Sequence, residues 1–526
     1  MRAFFRDRLG LGRITAALAG LLQAASMAWP GSGQAFGSLQ IFSLFILSLS
    51  LVRCARASGS VRSAAHAAAW LAAWFATAWL AGSFWWLYVS MHDVGGLPAP
   101  LAVLAVLALA AALALYYAAA GAAWVALVRR SGWLNRPVRA SLLFAALWTL
   151  AELMRGRWFT GFPWGAGGYA HVDSHLAVLA PWAGVYGLGA VAAGLAMRLA
   201  MGGCRWQPWR DVALVLALCA ALQAWSPAFT ASAGTAPVEL LQASIAQSAK
   251  FDAYSGVRDA LTWYDQRLRQ STQPLVVAPE TAVPLLPRHL PEGYWRDLQA
   301  AVAARGDRLA LVGVPLGDGA QGYSNSVVAM GPAAMPAYRY DKFHLVPFGE
   351  FVPSGFQWFV RQMQIPLSDF TRGALDQPSL AWQGQRLAIN ICYEDLFGEE
   401  LAARFRVAEQ APTALVNASN IGWFGNTIAV DQHLNISRMR SLELQRPMLR
   451  ATNTGATAII DHQGQVVGML ERFTRGSLVG VYEGRTGLTP FARWAAAWGL
   501  GPLWALALGV VMWAAWAGRR PQPAVR

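Results

Sequence analysis

The segment LAINICYEDLFGEE, residues Leu387–Glu400, joins an apolar run to a polar end. The run Leu387–Cys392 has the length and composition of a buried strand. It ends on Cys392, one of only four cysteines in 526 residues, and Tyr-Glu-Asp follows directly. Functional side chains favour the ends of strands that a rigid sheet holds in place. The segment therefore predicts a functional thiol, with an inert buried cysteine as the alternative.

The residues around this segment predict a layered α/β domain. Short apolar runs bounded by Gly, Pro, Asn or Asp indicate strands, and apolar residues at near-helical spacing indicate helices. The predicted strands are Val238–Ala243, Leu275–Ala278, Leu309–Val314, Ser326–Met330, Leu387–Cys392, Ala414–Asn417, Thr457–Asp461 and Leu478–Tyr482. The predicted helices are Tyr254–Gln270, Gly293–Ala304 and Val430–Leu444.

The composition is too apolar for an ordinary soluble enzyme, since 56% of residues are hydrophobic and only 13% are charged. The excess lies in residues 1–226 and 491–517, whereas residues 227–490 have a mixed composition. We therefore predict a transmembrane bundle of about seven spans in 1–226. A globular domain fills 227–490, and a membrane helix with a cytoplasmic tail fills 491–526.

About eight apolar segments approach the 20 residues that a membrane-spanning helix needs. The first has a secretory signal as its alternative, because an Arg-rich stretch precedes it. The predicted spans are Ile14–Trp29, Phe36–Val52, Ala64–Val89, Leu101–Val128, Ser141–Leu153, Leu176–Met197, Val212–Trp225 and Trp494–Ala517.

Basic residues predict the orientation of these spans. They precede alternate spans and end the chain, while the loops 30–35 and 90–100 contain no Lys or Arg. By the positive-inside rule both termini are cytoplasmic and residues 227–490 lie outside the cytoplasm. The formal charge of +14 is then mostly a topology signal. Nucleic-acid binding is disfavoured, because the arginines flank spans and do not form one stripe.

Lysine is rarer than cysteine in this chain. Of 42 basic residues only Lys250 and Lys342 are lysine. A lysine kept against such a bias suggests a task that needs a compact ammonium. We assign that task to Lys342. For Lys250 the favoured interpretation is a lysine kept at random, without such a task.

Polar groups follow three predicted strand ends or turns: Glu280 in VVAPET, Lys342 and Glu350 on either side of a Pro-Phe-Gly turn, and Cys392. A thiol becomes a nucleophile beside a base, which a carboxylate can supply. An oxyanion needs donors, which an ammonium and a backbone N–H can supply. The set predicts nucleophilic catalysis.

The sequences APET, YDKFHLVPFGEFVP and CYE at these positions resemble the Glu-Lys-Cys site of the nitrilase, or carbon–nitrogen hydrolase, superfamily. Longer stretches resemble the family of bacterial apolipoprotein N-acyltransferases, and the resemblance covers nearly the whole chain. These stretches are HLVPFGEFVP, NASNIGWFG (Asn417–Gly425), RMRSLELQRPMLRATNTG (Arg438–Gly455) and FTGFPWGAGGY (Phe159–Tyr169).

The resemblance implies a periplasmic αββα sandwich on a multi-pass bundle in the bacterial inner membrane. It implies transfer of an acyl chain from a phospholipid, through a thioester on Cys392, to the N-terminal amine of diacylglyceryl-cysteine on a lipoprotein. A monomer in the bilayer, without a cofactor, is expected.

The resemblance also implies roles for individual residues. Glu280 resembles the general base, Cys392 the nucleophile and Lys342 the oxyanion donor, joined by the backbone N–H of Tyr393. Glu350 and Glu394 match supporting acids. Phe251 stands where the family carries a tryptophan, so its role is open. The residues implied to shape the substrate pocket are Phe251, Asn325, Trp423 and Phe424.

Two further segments have open interpretations. Met154–Ser174 is either an interfacial aromatic belt with two snorkelling arginines, Arg155 and Arg157, or a loop that faces lipid or substrate. Phe351–Phe370 is either an amphipathic arm at the membrane surface or an ordinary surface helix.

Several alternatives are weaker. The chain has no zinc motif, Walker loop or dinucleotide fingerprint, so we expect no metal or cofactor. His344 and His433 lack a second ligand at metal spacing and are interpreted as structural. A membrane-tethered nitrilase-type amidase shares the Glu-Lys-Cys set but does not need eight spans. A transporter would need more charge inside its spans.

Overall fold

The computed structural model describes residues 2–202, 206–225, 228–318, 320, 322–360 and 369–519. The chain forms two compact units. The first contains Met1–Trp85, Val103–Pro227 and Leu500–Arg526, and the second contains Trp86–Ala102 and Ala228–Gly499.

The first unit is helical, and the second contains both helices and strands. The α-helices of the described residues, in chain order, are α1 Arg2–Met27, α2 Gly37–Arg56, α3 Val61–Phe84, α4 Leu87–Val89, α5 Ala99–Arg130, α6 Pro137–Arg157, α7 Ala180–Gly202, α8 Gln207–Trp225, α9 Gly256–Gln270, α10 Tyr294–Ala303, α11 Gln357–Val360, α12 Gly398–Ala402, α13 Ala429–Leu444, α14 Pro490–Trp498 and α15 Gly501–Ala517.

Within the described residues, five helices are long and apolar enough to cross a membrane, and a bent pair would make a sixth. The five are Gly37–Arg56, Val61–Phe84, Ala99–Arg130, Pro137–Thr160 and His175–Gly202. The predicted spans at α1 and α8 are helical but are not among these five. In α8, Arg210 and Asp211 lie in the first turns, which leaves an apolar stretch shorter than a membrane crossing needs.

The last predicted span is not one helix. Helices α14 and α15 meet at an angle of 87°, with the break at Gly499, which has a φ of 55°. Helix α14 packs in the second unit through Phe491, Ala492 and Ala495. The predicted span Trp494–Ala517 is therefore divided between two helices, because the first part of that apolar run covers a sheet.

The loop after α6 folds back onto that helix. Arg155 is only 1% exposed. Its guanidinium donates to the hydroxyl of Tyr117 at 2.9 Å and to the carbonyls of Phe162 and Trp164 at 2.7 Å each. Of the two interpretations of Met154–Ser174, the one with a snorkelling Arg155 does not fit these contacts, because Arg155 satisfies backbone carbonyls that need internal donors. Arg157 is exposed.

Among its described residues the second unit contains two six-stranded sheets, with strand orders β12-β1-β2-β3-β4-β5 and β11-β10-β9-β8-β7-β6. The strands are β1 Thr230–Gln242, β2 Leu275–Val277, β3 Leu309–Asp318, β4 Gly322–Met330, β5 Arg339–Asp341, β6 Leu380–Trp382, β7 Gln385–Ile391, β8 Ala414–Ser419, β9 Met448–Thr452, β10 Ala458–Ile460, β11 Val466–Met469 and β12 Gly476–Gly487.

Alternation along the strands builds four layers. Val238 and Leu240 of β1 face a core between the sheets, to which Leu387 and Ile389 of β7 also belong. Leu241 faces the opposite way, towards α9 and α10. In the second sheet Ala388 and Leu415 face α12 and α14. Since strand side chains alternate with a period of two, each sheet carries one core on either face. The predicted αββα sandwich is confirmed.

The first and last strands of this unit are paired. Strand β1 runs antiparallel to β12, from Thr230 opposite Gly487 to Gln242 opposite Gly476. The chain therefore enters and leaves the sandwich at neighbouring positions of one sheet.

Four strands were not predicted. Strands β5 and β6 have three residues each, too few to show a period. Strand β11 alternates between half-buried and exposed residues and lacks an apolar run. Strand β9 carries the buried Arg450 at its centre, which hides an otherwise buried strand from a pattern search.

The predicted arm Phe351–Phe370 lies partly outside the described residues, which exclude 361–368. Its described part contains the short helix α11, and Phe356 and Trp358 are exposed. Whether the whole segment forms an arm stays a prediction.

A buried ion pair within α13 sets a stability test. Arg440 and Glu443 lie 2.9 Å apart, and both are buried. Replacing Arg440 with Met removes the guanidinium from the buried carboxylate of Glu443, and breaking a buried pair in this way costs about 3–5 kcal/mol. R440M should therefore lower the thermal midpoint of the full chain in detergent micelles.

The matched control is R269M on α9. Arg269 lies 2.8 Å from Asp265 in a pair that is partly exposed to solvent, and such pairs contribute about 0–1 kcal/mol. Equal shifts in the two variants would contradict the assignment of Arg440 as a buried structural cation.

Candidate active site

Ends of strands from both sheets supply the candidate site. Glu280 follows β2, Lys342 follows β5, and Cys392 follows β7. Strands β2 and β5 belong to one sheet and β7 belongs to the other. The sandwich therefore brings together residues that lie between 50 and 112 positions apart in sequence.

Buried charges form the centre of the site. The ammonium of Lys342 lies 2.9 Å from the carboxylate of Glu350 and 3.6 Å from that of Glu280. The amide nitrogen of Asn325, on β4, donates to both carboxylates, at 2.6 Å to Glu280 and 2.7 Å to Glu350. The backbone N–H of Asn420 donates to the other oxygen of Glu280 at 2.8 Å. Glu280 is thus held by both sheets.

Cys392 begins a sharp turn. Its φ of 52° lies in the left-handed region, which is uncommon for a residue with a side chain. A short 3₁₀ turn, Cys392–Leu396, follows. The side-chain amide of Asn417 on β8 donates to the carbonyl of Cys392 at 3.1 Å. Strain of this kind persists only where neighbouring structure holds it, and it often marks functional sites.

Glu394 connects this turn to the segment that carries Lys342. Its carboxylate accepts hydrogen bonds from the backbone N–H groups of Ile391 at 2.6 Å and Phe343 at 2.7 Å, and from the hydroxyl of Tyr340 at 2.9 Å. The ring of Tyr393 packs against those of His344 and Phe397, which are stacked on one another. The position predicted for Glu394 as a supporting acid fits these contacts.

Burial and charge set the protonation states. Burial, and next the Glu280 carboxylate, raise the pKa of the Cys392 thiol to about 12, against a smaller opposing effect of Lys342. Burial disfavours the Lys342 ammonium, but Glu350 and Glu280 outweigh it and raise the pKa of Lys342. At neutral pH the site therefore holds a protonated thiol and a charged ammonium.

A second buried network lies behind the thiol. His433 contacts the carbonyl of Cys392 at 3.3 Å and Asp395 at 2.8 Å. Arg450 lies 2.8 Å from the other ring nitrogen of His433 and 3.4 Å from Asp395. These contacts fit the structural interpretation of His433. His344 likewise contacts Glu400 at 3.0 Å.

The four residues implied to shape the pocket have different settings. Asn325 is central to the charge cluster. Trp423 and Phe424 belong to the turn Ile421–Phe424 just after Asn420, and the ring of Phe424 packs against that of Trp86 at 4.2 Å. Phe251 is partly buried and follows Lys250. Their roles towards substrate stay predictions.

Sequence reasoning missed Lys250. It is 2% exposed and donates to the carbonyl of Glu280 at 3.1 Å and to the hydroxyl of Thr281 at 2.6 Å. The interpretation of Lys250 as a lysine kept by chance gave it no place in the site, whereas the structure buries its side chain against the turn that carries Glu280. The available signal was the rarity of lysine, because both lysines of the chain contact Glu280.

Comparisons with known proteins agree with this architecture. Residues 19–198 match the family model of the apolipoprotein N-acyltransferase N-terminal domain, and residues 236–483 match that of carbon-nitrogen hydrolases. The sandwich and its match define a carbon–nitrogen hydrolase domain on a chain with apolar helices long enough to span a membrane.

Curated relatives narrow this class. The apolipoprotein N-acyltransferase of Verminephrobacter eiseniae is 55% identical and covers 92% of each chain. That of Ralstonia nicotianae is 46% identical over 81% of each chain. That of Bordetella bronchiseptica is 42% identical over 90% of this chain and 92% of its own. The chain belongs to the apolipoprotein N-acyltransferase family, as the sequence resemblance predicted.

The raised pKa of Cys392 predicts its reactivity. Only the thiolate is nucleophilic towards iodoacetamide, and its fraction grows with pH until the pKa is passed. Alkylation of Cys392, followed by peptide mass spectrometry, should therefore keep rising up to about pH 10. In the unfolded chain it should level off near the ordinary cysteine pKa of about 8.5. A plateau below about pH 9 in the folded protein would contradict this picture.

Proposed function

We propose that the chain transfers an acyl group from a phospholipid to the N-terminal amine of diacylglyceryl-cysteine on a lipoprotein, through a thioester on Cys392. The supporting observation is that Glu280 and Lys342 form a buried ion pair and that both charges act electrostatically on the Cys392 thiol. A carboxylate, an ammonium and a thiol are the groups that thiol-based acyl transfer needs.

In the first half-reaction the sulfur of Cys392 attacks the ester carbonyl carbon, and Glu280 accepts the thiol proton. Since burial keeps the thiol protonated, a base in contact is needed at neutral pH. Lys342 and the backbone N–H of Tyr393 stabilise the oxyanion. The C–O bond then breaks, Glu280 returns the proton to the leaving oxygen, and a lysophospholipid departs.

In the second half-reaction the lipoprotein amine attacks the thioester carbonyl. Glu280 accepts a proton from the amine, the C–S bond breaks, and the sulfur takes the proton back. An amide forms and the enzyme is restored. Glu350 holds Lys342 in place, and Glu394 holds the turn that carries Cys392.

Both proposed substrates are anchored by acyl chains, each CH₂ of which contributes about 0.8 kcal/mol to membrane binding. An enzyme that joins them therefore works at a bilayer. We propose that residues 1–226 and 491–526 contain the membrane helices in the inner membrane, that both termini are cytoplasmic, and that 227–490 act in the periplasm as part of a monomer. The distribution of arginines supports this orientation.

The role of Cys392 is tested by C392A in the purified full chain, given a phospholipid and a diacylated lipoprotein. Formation of the N-acylated product should fall to background, because no thioester can form. Wild-type protein incubated with phospholipid alone should carry a fatty-acyl adduct on the peptide that contains Cys392, detected by mass spectrometry.

The matched control for C392A is C219A, which changes a buried cysteine of α8. C219A should keep full activity. Full activity of C392A would end the proposal, and release of free fatty acid without transfer to the lipoprotein would favour a hydrolase.

The role of Lys342 is tested by K342M. Loss of one oxyanion donor reduces kcat by about 100- to 1,000-fold, and KM for the phospholipid should change little. Arg339, an exposed cation on the adjoining strand β5, offers the control R339M, which should be close to wild type. A K342M effect confined to KM would contradict a role in the transition state.

A further inference from the structure

Lys250 has a contact set unlike that of Lys342. It lies in a turn after β1, is buried, and reaches the backbone carbonyl of Glu280 and the hydroxyl of Thr281. Lys342 pairs with the carboxylates of the same site. The two lysines therefore hold Glu280 from opposite ends, one at its side chain and one at its backbone.

The backbone at Glu280 needs such support. Thr281 has a φ of 48°, a left-handed conformation that is a genuine outlier for a β-branched residue. On β3, a Cβ at Gly313 would lie 2.3 Å from the carbonyl oxygen of Pro279 and 2.8 Å from the Cα of Glu280. The turn is thus pressed against β3 while it holds an unfavourable conformation.

The side chain of Glu280 is fixed independently. Asn325 donates to one carboxylate oxygen at 2.6 Å and the backbone of Asn420 donates to the other at 2.8 Å. These donors fix the carboxylate only if the Cα of Glu280 stays where the turn puts it. A rotation of the turn would break both hydrogen bonds.

We infer that Lys250 is a positioning residue for the proposed acyl transfer: it holds the left-handed Glu280–Thr281 turn and thereby keeps the carboxylate of Glu280 at Cys392. This inference rests on the proposed function of Glu280 as the base. Two N–H donors suffice for its two contacts, so the role does not depend on the charge of the amine.

The chemistry of the side chain fits this role. An ammonium is compact and its donors rotate, whereas a guanidinium is planar and larger. Burial lowers the pKa of Lys250 to about 8, partly opposed by Glu280. A chain with 42 basic residues, of which all but two are arginine, keeps lysine at both buried positions around Glu280.

The test is K250M in the full chain, with a p-nitrophenyl fatty-acyl ester as the acyl donor. Methionine keeps an unbranched apolar side chain, one heavy atom shorter than lysine, and removes both donors. The burst of p-nitrophenolate reports acylation of Cys392 directly. We expect the rate constant of the burst to fall up to about 100-fold, because a small displacement of the Glu280 carboxylate slows removal of the thiol proton. KM for the ester should stay unchanged.

The control is R308M. Arg308 is also buried and donates to the carbonyl of Leu268 at 2.7 Å, at the amino-terminal end of β3. R308M should lower the thermal midpoint and leave the burst rate near that of wild type. If K250M does not fold, T281V and T281S replace it: T281V should slow the burst, and T281S, which keeps the hydroxyl, should restore it.

A double variant separates positioning from a direct effect. In E280Q the activated ester leaves a measurable residual rate, and K250M/E280Q should be no slower than E280Q alone. A wild-type burst rate in K250M, or a further loss in the double variant, would overturn the inference.

Assays with phospholipid and lipoprotein distinguish failure of the proposed function from failure of the inference about Lys250. If wild-type protein reacts with the ester but transfers nothing from phospholipid, the proposed function is contradicted. The burst rate of K250M with the ester still tests the role of Lys250. Wild-type protein active on both, with K250M equally active on both, would sink only the inference. Wild-type protein that reacts with neither would overturn both.

Discussion

The burial of two carboxylates beside one ammonium is the constraint on which the second unit depends. Buried charges are costly unless each finds partners. Glu280 and Glu350 share Lys342 and Asn325, and Glu280 needs one further donor, the backbone N–H of Asn420. That donor follows β8 of the second sheet, whereas Glu280 follows β2 of the first. The charges are therefore satisfied only when the two sheets are docked, so the reactive groups and the sandwich form together.

The same constraint explains the strained backbone at the site. Cys392 and Thr281 both have positive φ; Cys392 directly follows β7, and Thr281 lies four residues after the end of β2. If the backbone stayed extended after these strands, Cys392 and Glu280 would lie farther from the strand ends. The abrupt turns keep both close to the ends of their strands, and the contacts of Asn417 with Cys392 and of Lys250 with Glu280 hold them there.

Local pattern explains how much of this was predictable from the sequence. Apolar runs placed β1, β2, β3, β7 and β8, and the residues after them pointed to Glu280, Lys342 and Cys392. The features that the sequence did not predict depend on partners that are distant along the chain. Strand β9 was hidden by Arg450, whose partners Asp395 and His433 come from other elements. The setting of Arg155 was left open between two interpretations, because the carbonyls that bury it lie beyond a turn. Lys250 offered no local sign that its acceptors were 30 residues away.

The pairing of β1 with β12 has a consequence for biosynthesis. The first sheet lacks one of its edge strands until Gly487 has been made, and the second sheet lacks the cover of α14 until Trp498 has been made. From Thr230 to Gly487 the edge of β1 therefore stays unpaired, and from Leu380 to Trp498 one apolar face of the second sheet stays uncovered, which favours association with other chains. The ribosome completes the sandwich only when it reaches α15. Nascent chains that stall shortly before that helix should be the ones that chaperones and proteases recognise.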